Sequence, residues 1–487
     1  MVNCILTGQG VGLSGREPRL FMAYQRQPGM RDLEPYRSDY LYWDLEEVAR
    51  AAAGPIPVTR PGDEAASLAL ERWASLVRQG AFFKAVGRVN WRVVPEAPRL
   101  APTMLSRIQE LGELVDAFLA GLERQLAGSP FLRAELGFPP CAQEETIWEV
   151  ERYRAVEMLR LDLALENGGN PKLLEIQVVM GGLGITVALR RAYGPHPCLP
   201  GILPLYEAAL ERVRGSLPEP GSRLAAVLGA RRSAYRHEHL LLARSLEAWR
   251  LVVAPLWTLS QTREGALALP DGREISLIHR LFRSPGIFQR RDGKASMMMG
   301  ALSRDKVRFL NPWKDVLEDK RVLALVHHPQ ALEHLGGALD SGQLERLRAY
   351  VPPTWKATPG VISSMLGLPA SKRDLYLKKG RSFESRALFH GRQLSLKQWE
   401  AACLRAKLEG DWVVQREVHA EPWSWNYLDP CSGRMRSMRG YVRLCPFFFR
   451  DSAGHLRLAD LLITAREEAS RVHGASDAVL VVAGPTA

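Results

Sequence analysis

The stretch Arg160–Gln177 reads RLDLALENGGNPKLLEIQ. On both sides of Asn-Gly-Gly-Asn-Pro the apolar residues alternate with period two, which predicts an antiparallel hairpin. Leu161, Leu163 and Leu165 then share one face of the first strand and leave Arg160, Asp162 and Ala164 on the other. Leu174 and Ile176 point away from Glu175 and Gln177. A loop from Glu166 to Pro171 pairs Leu165 with Lys172, which sets Asp162 opposite Glu175 and Arg160 opposite Gln177. Like charges directly opposite one another destabilise a sheet. Something positive belongs between them, and a hard divalent cation taking carboxylate and amide oxygens is one such occupant. An exposed hairpin with a solvated polar face, its acids screened by Arg160 and Lys172, fits the same residues.

A chain of 487 residues exceeds a single hydrophobic core, so roughly two to four domains are expected. No run reaches the roughly 18 consecutive apolar residues of a membrane span, and the start, MVNCILTGQGVGLSGREPRL, lacks a basic segment followed by an apolar one. A soluble, cytoplasmic protein is expected. Cys4, Cys141, Cys198, Cys403, Cys431 and Cys445 show neither CxxC nor Cys/His spacing, which argues against zinc and a disulfide framework. The net charge of +12 is dominated by arginine spread along the chain. With no nucleic-acid-binding signature beside it, anionic small molecules such as nucleotides suit this charge as well as nucleic acid does.

From Met104 to Leu126, apolar residues at Met104, Ile108, Leu111, Val115, Phe118, Leu122 and Leu126 mark one face of a helix. SLPEPGS at 216–222 reads as a linker. The following order, RLAAVLGA, YRHEHLLLARSLEAW, RLVVAPL and a Pro-Asp-Gly hairpin, is strand, helix, strand, hairpin, which favours a parallel α/β layer. LYLKKG, DWVVQREV, GYVRLCPFFF and DAVLVVAGP are further strands.

Together, the acid hairpin, the α/β segment, VPPTW at 351–355, YLKKGRSFESRALFHG at 376–391, WVVQREV at 412–418 and ITAREE at 463–468 resemble the ATP-grasp superfamily. Because the Asp and Glu-x-Gln precede the lysine strand, the order is similar to the circularly permuted branch that includes the glutathionylspermidine synthase synthetase domain. The resemblance implies an α+β / α/β chain with an ATP-grasp fold in permuted order. Residues 1–145 would be a largely helical N-terminal region, 146–220 the segment with the metal-binding hairpin, 221–330 a pre-ATP-grasp α/β domain, and 331–487 the nucleotide-binding lobe.

On the same resemblance, Asp162 and Glu175 are Mg²⁺ ligands, with Gln177 where asparagine is usual. Arg160 faces the transferring phosphoryl group, and Arg443 and Arg466 match arginines near the phosphates or the acyl phosphate. Lys378 aligns with the lysine that reaches ATP phosphates, and Lys379 is its neighbour; adjacent strand residues face opposite ways, so one of the two reaches the nucleotide, and Lys378 is preferred. Ser382, Ser385 and Arg386 lie in the phosphate-covering loop, and Gln415, Glu417 and Val418 in the hinge beside adenine. The implied activity is ATP- and Mg²⁺-dependent ligation of a small-molecule or peptide carboxylate to an amine through an acyl phosphate, with no nucleic-acid or membrane partner. A nucleotide-binding scaffold without catalysis is the alternative, motivated by Gln177 and a loop poor in glycine.

Overall fold

The computed structural model describes residues 64–81, 91–218, 223–229, 236–288, 293–382, 387–429, 433–467 and 478–485. Residues 1–63 of the expected N-terminal region, part of the expected linker, and the loop residues Ser385 and Arg386 lie outside these.

Strands β1 (Met158–Glu166) and β2 (Asn170–Gln177) form the hairpin. Its turn is tighter than expected, with Glu166 paired to Asn170 and with Gly168 and Gly169 at φ of 86° and 80°, a region glycine enters without steric cost. Near the turn the register therefore departs from expectation, and Leu165 faces Pro171 instead of Lys172. An irregularity between Asp162 and Leu163 takes up the difference: Leu163 pairs with Leu173 and Asp162 with Glu175, leaving Leu174 as the extra residue of a bulge. Leu173, not Leu174, thus enters the core beside Ile176.

The next strands are β3 (Leu224–Gly229), β4 (Arg250–Pro255), the short antiparallel set β5 (Ser260–Gln261), β6 (Leu267–Ala268) and β7 (Glu274–Ile275), then β8 (Leu277–Arg280) and β9 (Arg308–Leu310). β4, β3, β8 and β9 lie side by side in parallel, with the helix Arg236–Ser245 between β3 and β4. Ala226, Leu228, Val252, Ile278, Phe309 and Trp313 pack on one side of this layer. Strands covered on both faces need no polar alternation, which is why they read as short apolar runs.

Strands β10 (Thr354–Lys356), β11 (Leu375–Lys379), β12 (Leu388–His390) and β13 (Trp412–Arg416) make an antiparallel sheet in the order β10-β13-β11-β12. The helix Leu396–Glu409 backs it, started by a Ser395–Gln398 capping box and stopped at Gly410, φ 70°. Trp399, Cys403 and Ala406 meet Leu377, Trp412 and Val414. Strand alternation sends Lys378 and Gln415 to the opposite face.

The chain then returns to the hairpin through β14 (Trp423–Asp429), β15 (Arg434–Arg450), β16 (Leu456–Glu467) and β17 (Val479–Val482). The large sheet runs β17-β16-β15-β1-β2, with β14 also on β15. These C-terminal strands therefore share a sheet with the hairpin and not with β10–β13. One face packs on the helix Pro102–Gln125 through the stripe Ile108, Leu111, Val115, Phe118 and Leu122. That helix carries Gly112 where any Cβ would lie 2.3 Å from the Phe448 ring. The other face, with Cys445, Phe447, Phe449 and Leu462, packs against the helices Leu183–Tyr193 and Ile202–Gly215. Phe447, Phe448 and Phe449 are consequently all fully buried. Among the described residues no helix is long and apolar enough to cross a membrane.

Candidate functional site: a cationic cleft between two sheets

Cross-strand pairs in a sheet share a face. Arg160 with Gln177 and Asp162 with Glu175 form two such pairs, and β15 brings Arg443 opposite Ala164 on the same side. Asp162 is 3% exposed. Arg160 donates to it through Nε (3.0 Å to Oδ1) and Nη2 (3.4 Å to Oδ2), and Arg443 Nη1 donates to Oδ2 at 3.0 Å. Burial alone would raise the Asp162 carboxyl, but Arg160 and then Arg443 outweigh it and hold the group below its ordinary range.

The β10–β13 sheet supplies the facing wall. Lys378 Nζ donates to Gln415 Oε1 at 2.5 Å and to the carbonyl of the bulge residue Leu174 at 3.4 Å. Burial lowers the Lys378 ammonium to about 8, against the opposing pull of Glu175 and Asp162 and with the repulsion of Lys320. Lys320, which begins the helix Arg321–Val326, is 3.1 Å from Glu175 and donates to the Ser382 carbonyl at 2.6 Å. Four cations, Arg160, Arg443, Lys320 and Lys378, thus surround two carboxylates and leave the cleft net positive.

A hard cation needs oxygen donors with open lone pairs. Both oxygens of Asp162 are engaged by guanidinium groups, Gln177 turns its Nε2 toward Asp162 (3.3 Å), and Glu175 is on Lys320. Among the described residues no group of three His, Cys, Asp or Glu gathers into a metal cluster. As these side chains stand, the expected trio Asp162, Glu175 and Gln177 does not fit a Mg²⁺ site. The positive charge that the opposed acids require comes from arginine and lysine, because a guanidinium fork matches a carboxylate.

The remaining expected residues divide. Lys379, on the other face of β11, pairs with Glu409 (2.8 Å) and Asp411 (3.7 Å) and does not reach the cleft, a correction that follows from strand alternation. Gln415 holds Lys378 and donates to Thr354 at 3.0 Å, so its side chain orients the lysine. Glu417 Oε1 lies 3.0 Å from His390 Nε2, beside the stacked Tyr376–His390 rings, and Val418 follows it just beyond β13. Ser382 donates to the Lys379 carbonyl just beyond β11. Arg466 pairs across the sheet with Tyr441, which puts it on the Arg443 face and one step further along.

Sequence reasoning missed Lys320 and Asn311, among others. Lys320 hides in the charged run EDKR, which reads as a solvated surface. Asn311, 1% exposed, ties the hairpin to the parallel layer: its Oδ1 accepts from Glu157 and Met158, and its Nδ2 donates to Met158 and Val178.

A two-sheet cleft with a lysine strand facing a carboxylate hairpin, beside a parallel layer, defines the architectural class. No protein-family model matches the chain, and a search of the curated proteins finds no match. Among solved structures, the chain is similar to a glutathione synthetase-like effector from Globodera pallida in its apo form, with TM-score 0.58 and 11% identity over 88% of this chain and 98% of that one. That likeness shows a shared fold. A putative γ-glutamylcysteine synthetase from Methylobacillus flagellatus matches at TM-score 0.29 and 13% identity, over 74% of this chain and 84% of that one. D-alanyl-alanine synthetase A from Vibrio cholerae matches at TM-score 0.27 and 10% identity, over 49% and 88%.

Proposed function

We propose that the chain is an ATP-dependent carboxylate–amine ligase with an ATP-grasp fold in permuted order, acting on an amino acid, a peptide or another small molecule. The observation that supports this most directly is the convergence of Lys378, Lys320, Arg160 and Arg443 on one cleft between two sheets. Such a cleft suits a polyanion. In the proposed reaction a carboxylate oxygen attacks the γ-phosphorus of ATP and the bond to ADP breaks, leaving an acyl phosphate. The amine nitrogen then attacks the acyl carbon, phosphate leaves, and the nitrogen loses its proton. Lys378 holds phosphate charge already present in the bound nucleotide. Arg160 and Arg443 lie where charge develops as the phosphoryl group moves, and fixed cations in a dry site stabilise such charge without reorganisation. No step is assigned to a metal, since the donor set does not fit one.

A second reading, a nucleotide-binding scaffold without turnover, is favoured by the full engagement of Asp162 and the turned amide of Gln177. Calorimetric titration with ATP, with Mg²⁺ and with EDTA, tests the common part of both readings. Saturable binding that persists in EDTA is expected, and no binding in either buffer contradicts both.

A further inference from the structure

The peptide group between Gly181 and Gly182 is held from both sides. Its carbonyl accepts from Arg160 Nη1 at 2.6 Å, and its N–H donates to Oε2 of Glu238 at 2.6 Å. Arg160 belongs to the hairpin, whereas Glu238 lies in the first turn of the helix Arg236–Ser245, which follows the carboxyl end of β3. Two layers of the protein therefore meet on one peptide. The contact is close: Gly182 sits at φ 100°, and a Cβ on Gly184 would lie 1.7 Å from the Glu238 carbonyl oxygen. This accounts for Gly182 and Gly184 in the stretch Met180–Gly184, MGGLG. Glu238 is 3% exposed, and its Oε1 has no hydrogen-bond partner among the described residues. In open α/β sheets, ligands gather at the carboxyl ends of the strands. The wide groove of about 1070 Å³ bordered by Arg223, Arg250 and Lys306 lies at the amino ends instead, and Arg223 there is paired with Glu211.

We infer that Glu238 is a positioning residue for Arg160, fixing the direction of its guanidinium through the Gly181–Gly182 peptide and so coupling the parallel layer to the phosphoryl-transfer cleft. The inference rests on the ligase reading for its catalytic consequence, and on the hydrogen bonds alone for the coupling. Burial raises the Glu238 carboxyl to about 7, with the Gly182 N–H and Arg160 opposing the rise. Ionisation makes the Gly182 bond charge-assisted and polarises the peptide, which strengthens its carbonyl as an acceptor for Arg160. Arg160 faces Glu238 from β1, and His239 Nδ1 lies 4.0 Å away on the same helix. Burial holds His239 well below its usual value; behind it on β8, His279 is held at about 3 by burial, then by Arg280. On the helix Leu183–Tyr193, Arg190 is turned to Asp460, and on β4 Arg250 is exposed. Among the described residues named around it, Glu238 is thus the group whose charge changes near neutrality.

The test uses protein labelled with ¹³C-carbonyl and ¹⁵N glycine, which isolates the amides of Gly169, Gly182 and Gly337, because the sequence holds Gly–Gly peptides at those places, and a second sample labelled with ¹⁵N arginine for the guanidinium Nε–H groups. The Gly182 amide and the Arg160 Nε–H, the latter identified by its loss in R160A, should titrate together near pH 7 in the unmodified protein. Both should be flat in E238Q, whose amide oxygen still accepts from Gly182. In turnover, E238Q should lose the rising limb near pH 7 at a cost of about threefold, and E238A should cost on the order of tenfold, with no further loss in an R160A background. A Gly182 signal that does not titrate, a limb that survives in E238Q, or a loss that adds to R160A overturns the inference. Titration of Gly182 in a protein without turnover supports the coupling and counts against the ligase reading alone.

Discussion

Lys378 carries the sharpest consequence at the scale of a single residue. Its ammonium sits near 8, so it is largely charged at neutral pH and loses charge as pH rises through that value. ATP affinity should fall between pH 7 and 9 in the unmodified protein and stay flat in K378M, whose affinity at pH 7 should be lower by on the order of tenfold. Arg160 should behave differently, because a group felt mainly in the transition state changes turnover and leaves ground-state binding alone. R160A should therefore lose roughly a hundredfold in single-turnover rate with ATP affinity within about threefold. Equal losses of affinity in the two variants would contradict this division. That only one of Lys378 and Lys379 faces the cleft was legible in the sequence because a strand alternates strictly, whereas the preference for Lys378 came from the resemblance. Lys320 and Glu238 were not legible, because each comes from a segment remote in sequence from the hairpin and neither carries a periodic signal.

At the scale of elements, the hairpin depends on how it is anchored. Asn311 satisfies two amides and two carbonyls at the ends of β1 and β2, all in a buried setting. Asn311→Ala strands those groups, and buried polar groups without partners cost about 1–3 kcal/mol each. A drop of roughly 3 kcal/mol or more in unfolding free energy, read from the urea midpoint at constant m-value, is the expected outcome; a drop under about 1 kcal/mol would show that water replaces the amide. The opposition of Asp162 and Glu175 was reached by counting back from a six-residue loop, and it holds because the bulge at Leu174 offsets the tighter turn. The bulge could not be read this way, because it arises from a tight turn and a core that takes Leu173, and neither leaves a mark in the local pattern. The parallel layer was legible from the order of its elements, whereas the pairing of β15 with β1 joins segments far apart in the chain.

Across the whole molecule, one sheet with both faces covered carries the hairpin, a second sheet carries Lys378, and the charge between them is positive. The sequence suggested a metal because two acids oppose each other. Their actual partners are Arg160 of the same strand together with Arg443 and Lys320, and these last two are brought to the acids from other elements when the chain closes on itself. Since arginine and lysine already neutralise the acids, EDTA should weaken ATP binding by less than about tenfold. On the ligase reading this cleft activates a carboxylate with ATP. The most direct test of that reading is to incubate the protein with ATP, pooled amino acids or peptides, and hydroxylamine, with and without added Mg²⁺, and to measure ADP and hydroxamate. Hydroxamate is expected in step with carboxylate-dependent ADP, lost roughly a hundredfold in R160A; tight ATP binding with neither product under any carboxylate would rule out the ligase and leave the scaffold.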